Sequence, residues 1–259
     1  MKLRTTIGLI WGTIALLSIG AVWADDVKLT ADERVEYYQK EQKLVAVGNA
    51  KAVRGNMSIS ARRLVGYYAP KTKNKIARVE AEGNVVMTSA QTKAKGESLV
   101  YDANEDKAIL KGKTVHIKSP DAEIIAQNEI VFYQAAMRAE SNDGVEAIDA
   151  KGSRVRADKM TAYFAKDDEG KTILDKVDIA GNVRINSQDA VITALRGTYF
   201  AALGIIKLYD DVVIEQNGNV LKGSAAEADL NSGVSRILSG GGSRVSGVFK
   251  ENKNKQNKE

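Results

Sequence analysis

Residues 83–110 read GNVVMTSAQTKAKGESLVYDANEDKAIL, and the rest of the chain copies their plan. A glycine-led turn opens the segment, and an alternating run follows through Val85 and Met87. Polar residues lead into a second alternating run ending Leu99, Val100, Tyr101, Asp102, and a loop of Asn, Glu, Asp and Lys returns the chain to a strand at Ala108, Ile109 and Leu110. Period-two alternation with β-branched residues predicts half-buried strands.

On either side of this segment, equivalent anchors recur, so that the series is Gly48, Gly83, Gly112, Gly144, Gly181, Asp211 and Gly241, separated by 35, 29, 32, 37, 30 and 30 residues. Steps this regular mark a repeat architecture. The internal spacing also recurs: from anchor to closing aromatic the count is 19 for Tyr67, 18 for Tyr101, 20 for Phe132, 19 for Tyr163 and 18 for Tyr199. Six residues ahead of an aromatic stands a small residue, as at Ala61, Ala126, Ala157 and Ala194. The sixth copy has Asp229 and Leu230 in place of the aromatic, and the last stops after one strand over residues 244–249. With two Pro and 22 Gly, turns must rest on Gly, Asn and Asp, as at Asn74, Asn104, Gly170 and Gly233. The expectation is an all-β fold with two strands per copy, starting with a short strand over residues 27–30.

The ends read differently. Lys2 and Arg4 precede an apolar run over residues 7–22, closed by Val22, Trp23 and Ala24 before Asp25 and Asp26. This is the pattern of a secretory signal over residues 1–24. A retained membrane anchor is the alternative, although the run is shorter than the roughly 20 residues of a spanning helix. Residues 250–259 hold no apolar side chain and read as a charged, disordered tail, leaving residues 25–249 as the folded domain.

Composition narrows the function. The chain has no cysteine, so its stability rests on packing and strand pairing. Without Lys2 and Arg4, the 38 basic residues become 36 against 33 acidic ones, so the body is close to neutral. Aromatics at 6% and no interleaved basic and aromatic patch argue against nucleic acid as a partner. Catalytic candidates are thin. His116, the only histidine, sits between Val115 and Ile117 and points away from the apolar face. Asp167, Asp168 and Glu169 precede Gly170 as a solvated turn. Asp210 and Asp211 imitate a carboxylate pair without a cleft. Gly240, Gly241 and Gly242 open no helix that could cradle a phosphate. Asn56, Met57 and Ser58 match a glycosylation triplet by chance. No enzyme activity and no cofactor is expected.

Val47-Gly48-Asn49-Ala50, Gly55 and Ile59-Ser60-Ala61 together resemble the GN–G–INAD-type opening of the periplasmic lipopolysaccharide transport protein A (LptA, OstA-like) family. The likeness continues through residues 76–85 and 175–183 and covers most of residues 27–249. Ala61-Arg62-Arg63 departs from the family's Ala-Asp, and this chain has more copies than shorter members. The resemblance implies an open, twisted β-jellyroll whose apolar interior holds the acyl chains of lipopolysaccharide. It also implies a periplasmic place between an inner-membrane anchored jellyroll partner and the outer-membrane translocon, with a partner ATPase setting direction.

The inner row proposed for lipid contact comprises Val27, Leu29, Met57, Ile59, Val85, Met87, Leu99, Tyr101, Val115, Ile117, Ile130, Phe132, Val183 and Ile185. Burying a methylene gains about 0.8 kcal/mol, so a dry trough would attract acyl chains. On the residues alone a packed core is the better reading of the same row; only the resemblance reverses that order in favour of the trough. Lys28 and Arg54 stand near the trough mouths, where they could meet lipid phosphates. Bare strand edges invite strand addition. Here they are expected at Val27, Lys28 and Leu29 and at Arg244, Val245, Val248 and Phe249, where head-to-tail association of copies is also allowed. Competing readings are a membrane-anchored jellyroll of the same pathway, a structural or adhesive β-solenoid without lipid, and a repeat-built polysaccharide-cleaving enzyme. The last would need a recurring carboxylate or histidine cluster, and none is found.

Overall fold

The computed structural model describes residues 27–69, 76–229, 234–239 and 244–249. The expected signal, the charged tail, Asn74, Gly233 and the glycine run at 240–242 lie outside them. Eighteen strands and no helix make up the described residues: β1 (Lys28–Thr30), β2 (Arg34–Tyr38), β3 (Lys43–Arg54), β4 (Met57–Tyr68), β5 (Ile76–Ser89), β6 (Thr92–Asp102), β7 (Lys107–Lys118), β8 (Ala122–Tyr133), β9 (Arg138–Ser141), β10 (Val145–Asp149), β11 (Arg154–Ala157), β12 (Lys159–Lys166), β13 (Thr172–Asn186), β14 (Ala190–Phe200), β15 (Ile205–Gln216), β16 (Asn219–Asp229), β17 (Val234–Leu238) and β18 (Ser246–Val248).

Successive strands pair antiparallel in chain order from β3 to β8 and from β13 to β16. The shorter strands act in twos. β1 and β2 lie end to end along β3, β9 and β10 along β8, β11 and β12 along β13, and β17 and β18 along β16. The result is one meandering sheet, stacked at about 4.8 Å per strand.

The Gly-Asn anchors are not hairpin turns. Each lies inside a strand, where the register with the neighbour slips: between Val47 and Ala50, Glu82 and Val85, and Ala180 and Val183, and the Asp210-Asp211 pair makes the same slip between Tyr209 and Val212. Both residues of each pair have positive φ: 86° and 42° at Gly48 and Asn49, 78° and 53° at Gly83 and Asn84, 77° and 45° at Gly181 and Asn182. Two left-handed residues in succession bend a strand sharply, which Gly and Asn tolerate best. Neighbouring bends are clasped. Asn49 Nδ2 donates to Asp32 at 2.7 Å, Asn182 Nδ2 to Asp158 at 2.8 Å, and Arg196 Nε to Asp210 at 2.6 Å. At Gly83 the clasp departs from the Asp pattern, and the Arg62 guanidinium lies against the glycine.

The bends align into a spine that divides the sheet into two facing wings. The first wing takes β2, β9, β12, β17 and the N-terminal half of β3; the second takes β1, β10, β11, β18 and the C-terminal half of β3. Other long strands cross from one wing to the other. Between the wings, side chains from both close on one another in a single apolar core. Side chains such as Leu110, Val115 and Val177, each at 0% exposure, contribute about 1.5–3 kcal/mol apiece by leaving water. Asn104 and Gly170 sit in turns as expected.

Candidate functional site

All fourteen inner-row candidates fall on the side facing between the wings, in three environments. Val85, Val115, Ile117, Ile130, Val183 and Ile185 are sealed in the core. Leu29 and Phe132 pack against it half-buried. Val27, Met57, Ile59, Met87, Leu99 and Tyr101 line an apolar opening of about 140 Å³ at the N-terminal end. The interior is therefore a packed core in the middle that opens at the ends.

The N-terminal opening joins both wings. Val53, Met57, Ile59 and Met87 come from the second, and Ile76, Val79, Leu99 and Tyr101 from the first. Burial, with help from Asp106 and Asp102, pushes the Tyr101 phenol above its ordinary pKa, so it stays neutral inside. Arg54 stands at this mouth, while Lys28 lies on the outer face of β1. At the other end Ile192, Leu208, Ile214, Leu221, Ile237 and Val245 surround a second opening of about 240 Å³. Apart from Val245, which is placed at the edge, the inner-row selection missed this group. The alternation of Val212 with Ile214 was the signal for it.

Two strands lie at the ends of the described strand order. β1 pairs only with β3 among the described strands, and β2 continues the same edge with Val35 and Tyr37 at 50% and 60% exposure. Sequence reading missed β2, whose alternation is masked by its charged residues. At the far edge β18 pairs only with β16 among the described strands, and Val245, Val248 and Phe249 are exposed.

The outer faces of the wings differ in charge. On the first wing cations and carboxylates alternate strand by strand: Arg63 lies 3.2 Å from Glu82, Arg78 2.8 Å from Glu80 and 3.3 Å from Asp102, Lys111 3.0 Å from Glu129, Lys207 3.5 Å from Glu227. Register places Lys51, Lys93, Lys95, Lys118, Arg154, Arg156, Arg184 and Lys222 on the second wing's outer face, with only Glu123, Glu146 and Glu215 as carboxylates. Burial alone would raise the Glu146 pKa. Hydrogen bonds from Arg154 and Arg156 outweigh that and hold it below the usual carboxylate range. His116 is on this outer face, 3.8 Å from Glu123, away from the apolar row as expected. Asp167 caps its own turn through the Glu169 and Lys171 amides, and Asp210 is engaged by Arg196. Among the described residues no cluster of His, Cys, Asp or Glu could hold a metal, and no helix is long and apolar enough to cross a membrane.

A meandering sheet bent along a spine, apolar between its wings and with β1/β2 and β17/β18 as the outermost described strands, defines an open-ended β-jellyroll. The chain belongs to the family described as LptA/(LptD N-terminal domain) LPS transport protein, whose model matches residues 28–136 and again 114–234. It is a transport family, not an enzyme family. An uncharacterized protein of Rhizobium meliloti (strain 1021) is 25% identical over 130 residues, covering 48% of this chain and 66% of the relative. Among solved structures, LptH, the LptA homologous periplasmic component of the lipopolysaccharide transport device of Pseudomonas aeruginosa, is 12% identical. That match covers 87% of this chain and 96% of LptH, with a TM-score of 0.22.

Proposed function

We propose that this chain is a periplasmic carrier that holds lipopolysaccharide acyl chains between its wings and joins its neighbours by strand addition at the two edges. The observation that carries the reading is the N-terminal opening, an apolar mouth continuous with the inner row and directly beside β1, which pairs only with β3 among the described strands. Membership of the transport family supplies the ligand class. An acyl chain there gains the same transfer free energy as a buried side chain, about 0.8 kcal/mol per methylene. The edge β1/β2 offers main-chain groups to an inner-membrane anchored jellyroll, and β17/β18 offers them to the outer-membrane translocon. A cleaved signal over residues 1–24 accounts for export in this reading.

Photo-crosslinking in cells from Met87 and Thr88 tests it. Met87 faces the opening, whereas the Thr88 hydroxyl is hydrogen-bonded to Ser58 on the outer face. Lipopolysaccharide adducts at Met87 and none at Thr88 are expected. Equal labelling, or none at either position, would leave a structural solenoid as the better account.

A further inference from the structure

Strand register brings four basic side chains together on the second wing's outer face. Lys93 lies opposite Lys118, and Lys95 opposite His116, on adjacent β6 and β7. The Lys93–Lys118 pair sets like charges directly opposite, which destabilises a sheet, and side chains so placed span a patch of roughly 5 by 7 Å. Only one carboxylate is at hand: Glu123 faces Lys118 in register and lies 3.8 Å from His116 Nδ1. None of the three lysines has an ion-pair partner within 4 Å among the described residues, unlike the neutralised cations of the first wing. The cluster borders a depression of about 600 Å³ whose remaining wall is Gln91, Ser119, Pro120 and the Glu123 carboxylate.

We propose that Lys93, Lys95, His116 and Lys118 form a binding site for a phosphoryl group. An outside anion relieves repulsion that Glu123, the one carboxylate facing Lys118, offsets only in part. The donors select the chemistry. Lysine ammoniums are compact point charges that suit a tetrahedral oxyanion, and the cluster contains no arginine fork to favour a planar carboxylate. The site lies beside the hairpins at the wing's tip, one residue beyond the inward-facing Thr92. A phosphoryl group carried by a lipid headgroup or present free in solution meets the same donors. The site does not depend on what occupies the space between the wings.

Pyrophosphate titrated into the full chain at low ionic strength, followed by calorimetry, is the first measurement. Lys93→Gln and Lys118→Gln are each expected to weaken binding roughly tenfold, the worth of one charge-assisted hydrogen bond. Lys51→Gln and Lys222→Gln, on the same face outside the cluster, are expected to leave it unchanged. Lys93→Glu is expected to abolish binding while the melting temperature holds or rises, because a repelling cross-strand pair becomes an attracting one; an unfolded variant could not give that combination. Flotation with phosphatidylcholine vesicles, with and without phosphatidic acid, identifies the source. Lysine-dependent capture by phosphatidic acid indicates a lipid headgroup, and pyrophosphate binding without capture indicates a free phosphate. Absence of binding to both probes, or equal weakening by the Lys51 and Lys222 variants, overturns the site.

Discussion

Leu110, Val115 and Val177 in the middle of the sheet are fully buried, whereas Met57, Ile59 and Val79 near its N-terminal end are half-buried around an opening of about 140 Å³. Both regions are built from the same repeat. In the middle each strand has neighbours on both sides and an opposite wing to close on. At the end β1 and β2 pair only with β3 among the described strands, and the inner row there has one neighbour fewer to pack against. A repeat that seals itself where it is flanked on both sides stays open at the last described strand. Ligand access and edge docking are then one physical problem, since a chain adding to β1/β2 would also lengthen the floor of the opening.

Removing inner side chains in both regions tests this contrast most directly. Leu110→Ala is expected to cost about 2–5 kcal/mol in urea unfolding, the range for a sealed core leucine with its cavity. Ile59→Ala at the opening is expected to cost about 1 kcal/mol or less, because its side chain is already partly in contact with solvent and the removed volume joins an existing space. Equal losses would mean that the N-terminal end is packed as tightly as the middle.

The next largest effect separates the spine from the hairpins. Gly181 and Gly55 both have positive φ, 77° and 55°. A Cβ at Gly181 would collide with the Asp158 carboxylate that clasps Asn182, while at Gly55 nothing lies within 4 Å. Gly181→Ala is therefore expected to lose about 1–3 kcal/mol, since strain and a broken clasp act together. Gly55→Ala carries backbone strain alone, about 1 kcal/mol. A thermal melt of each variant checks the order.

The same positions separate what local pattern discloses from what only strand pairing decides. Alternation at Val85 and Met87 and at Leu99 and Tyr101 identifies the inner row, because side-chain direction in a strand follows directly from period two. The Gly-Asn pairs reveal the repeat but mislead about its geometry. Consecutive left-handed residues belong equally to a tight hairpin and to a bend within a strand. Only the partner strand's register distinguishes the two, and register is a long-range property. The same limit hid the sealing of Val115 and Val183, which depends on the opposite wing, and the lysine cluster, whose members stand up to 25 residues apart from Lys93 to Lys118. β2 was missed because Arg34, Glu36 and two tyrosines give an edge strand no apolar row to betray it.

The smallest expected effect concerns how the middle is held from outside. At the N-terminal end the outer face is joined by the neutral Ser58–Thr88 pair, whereas in the middle Glu146 bridges Arg154 at 2.8 Å and Arg156 at 3.0 Å. Both arginines are about half exposed, so the bridge is worth roughly 1 kcal/mol or less. Its pH dependence has a definite sign. The Glu146 pKa is lowered in the folded chain, so its contribution is complete above the ordinary carboxylate pKa and is lost as pH falls through the folded value. Glu146→Gln is thus expected to destabilise the chain at neutral pH and to match the wild type once the medium is acidic enough to protonate Glu146. Hydrogen exchange read by region, corrected for the intrinsic pH dependence of amide exchange, localises the effect: at neutral pH Glu146→Gln should lower protection in β10 and β11 and leave β4 and β5 near Ser58 and Thr88 unchanged. A variant deficit that persists unchanged into acid would show that the two arginines matter through packing of their stems and not through charge.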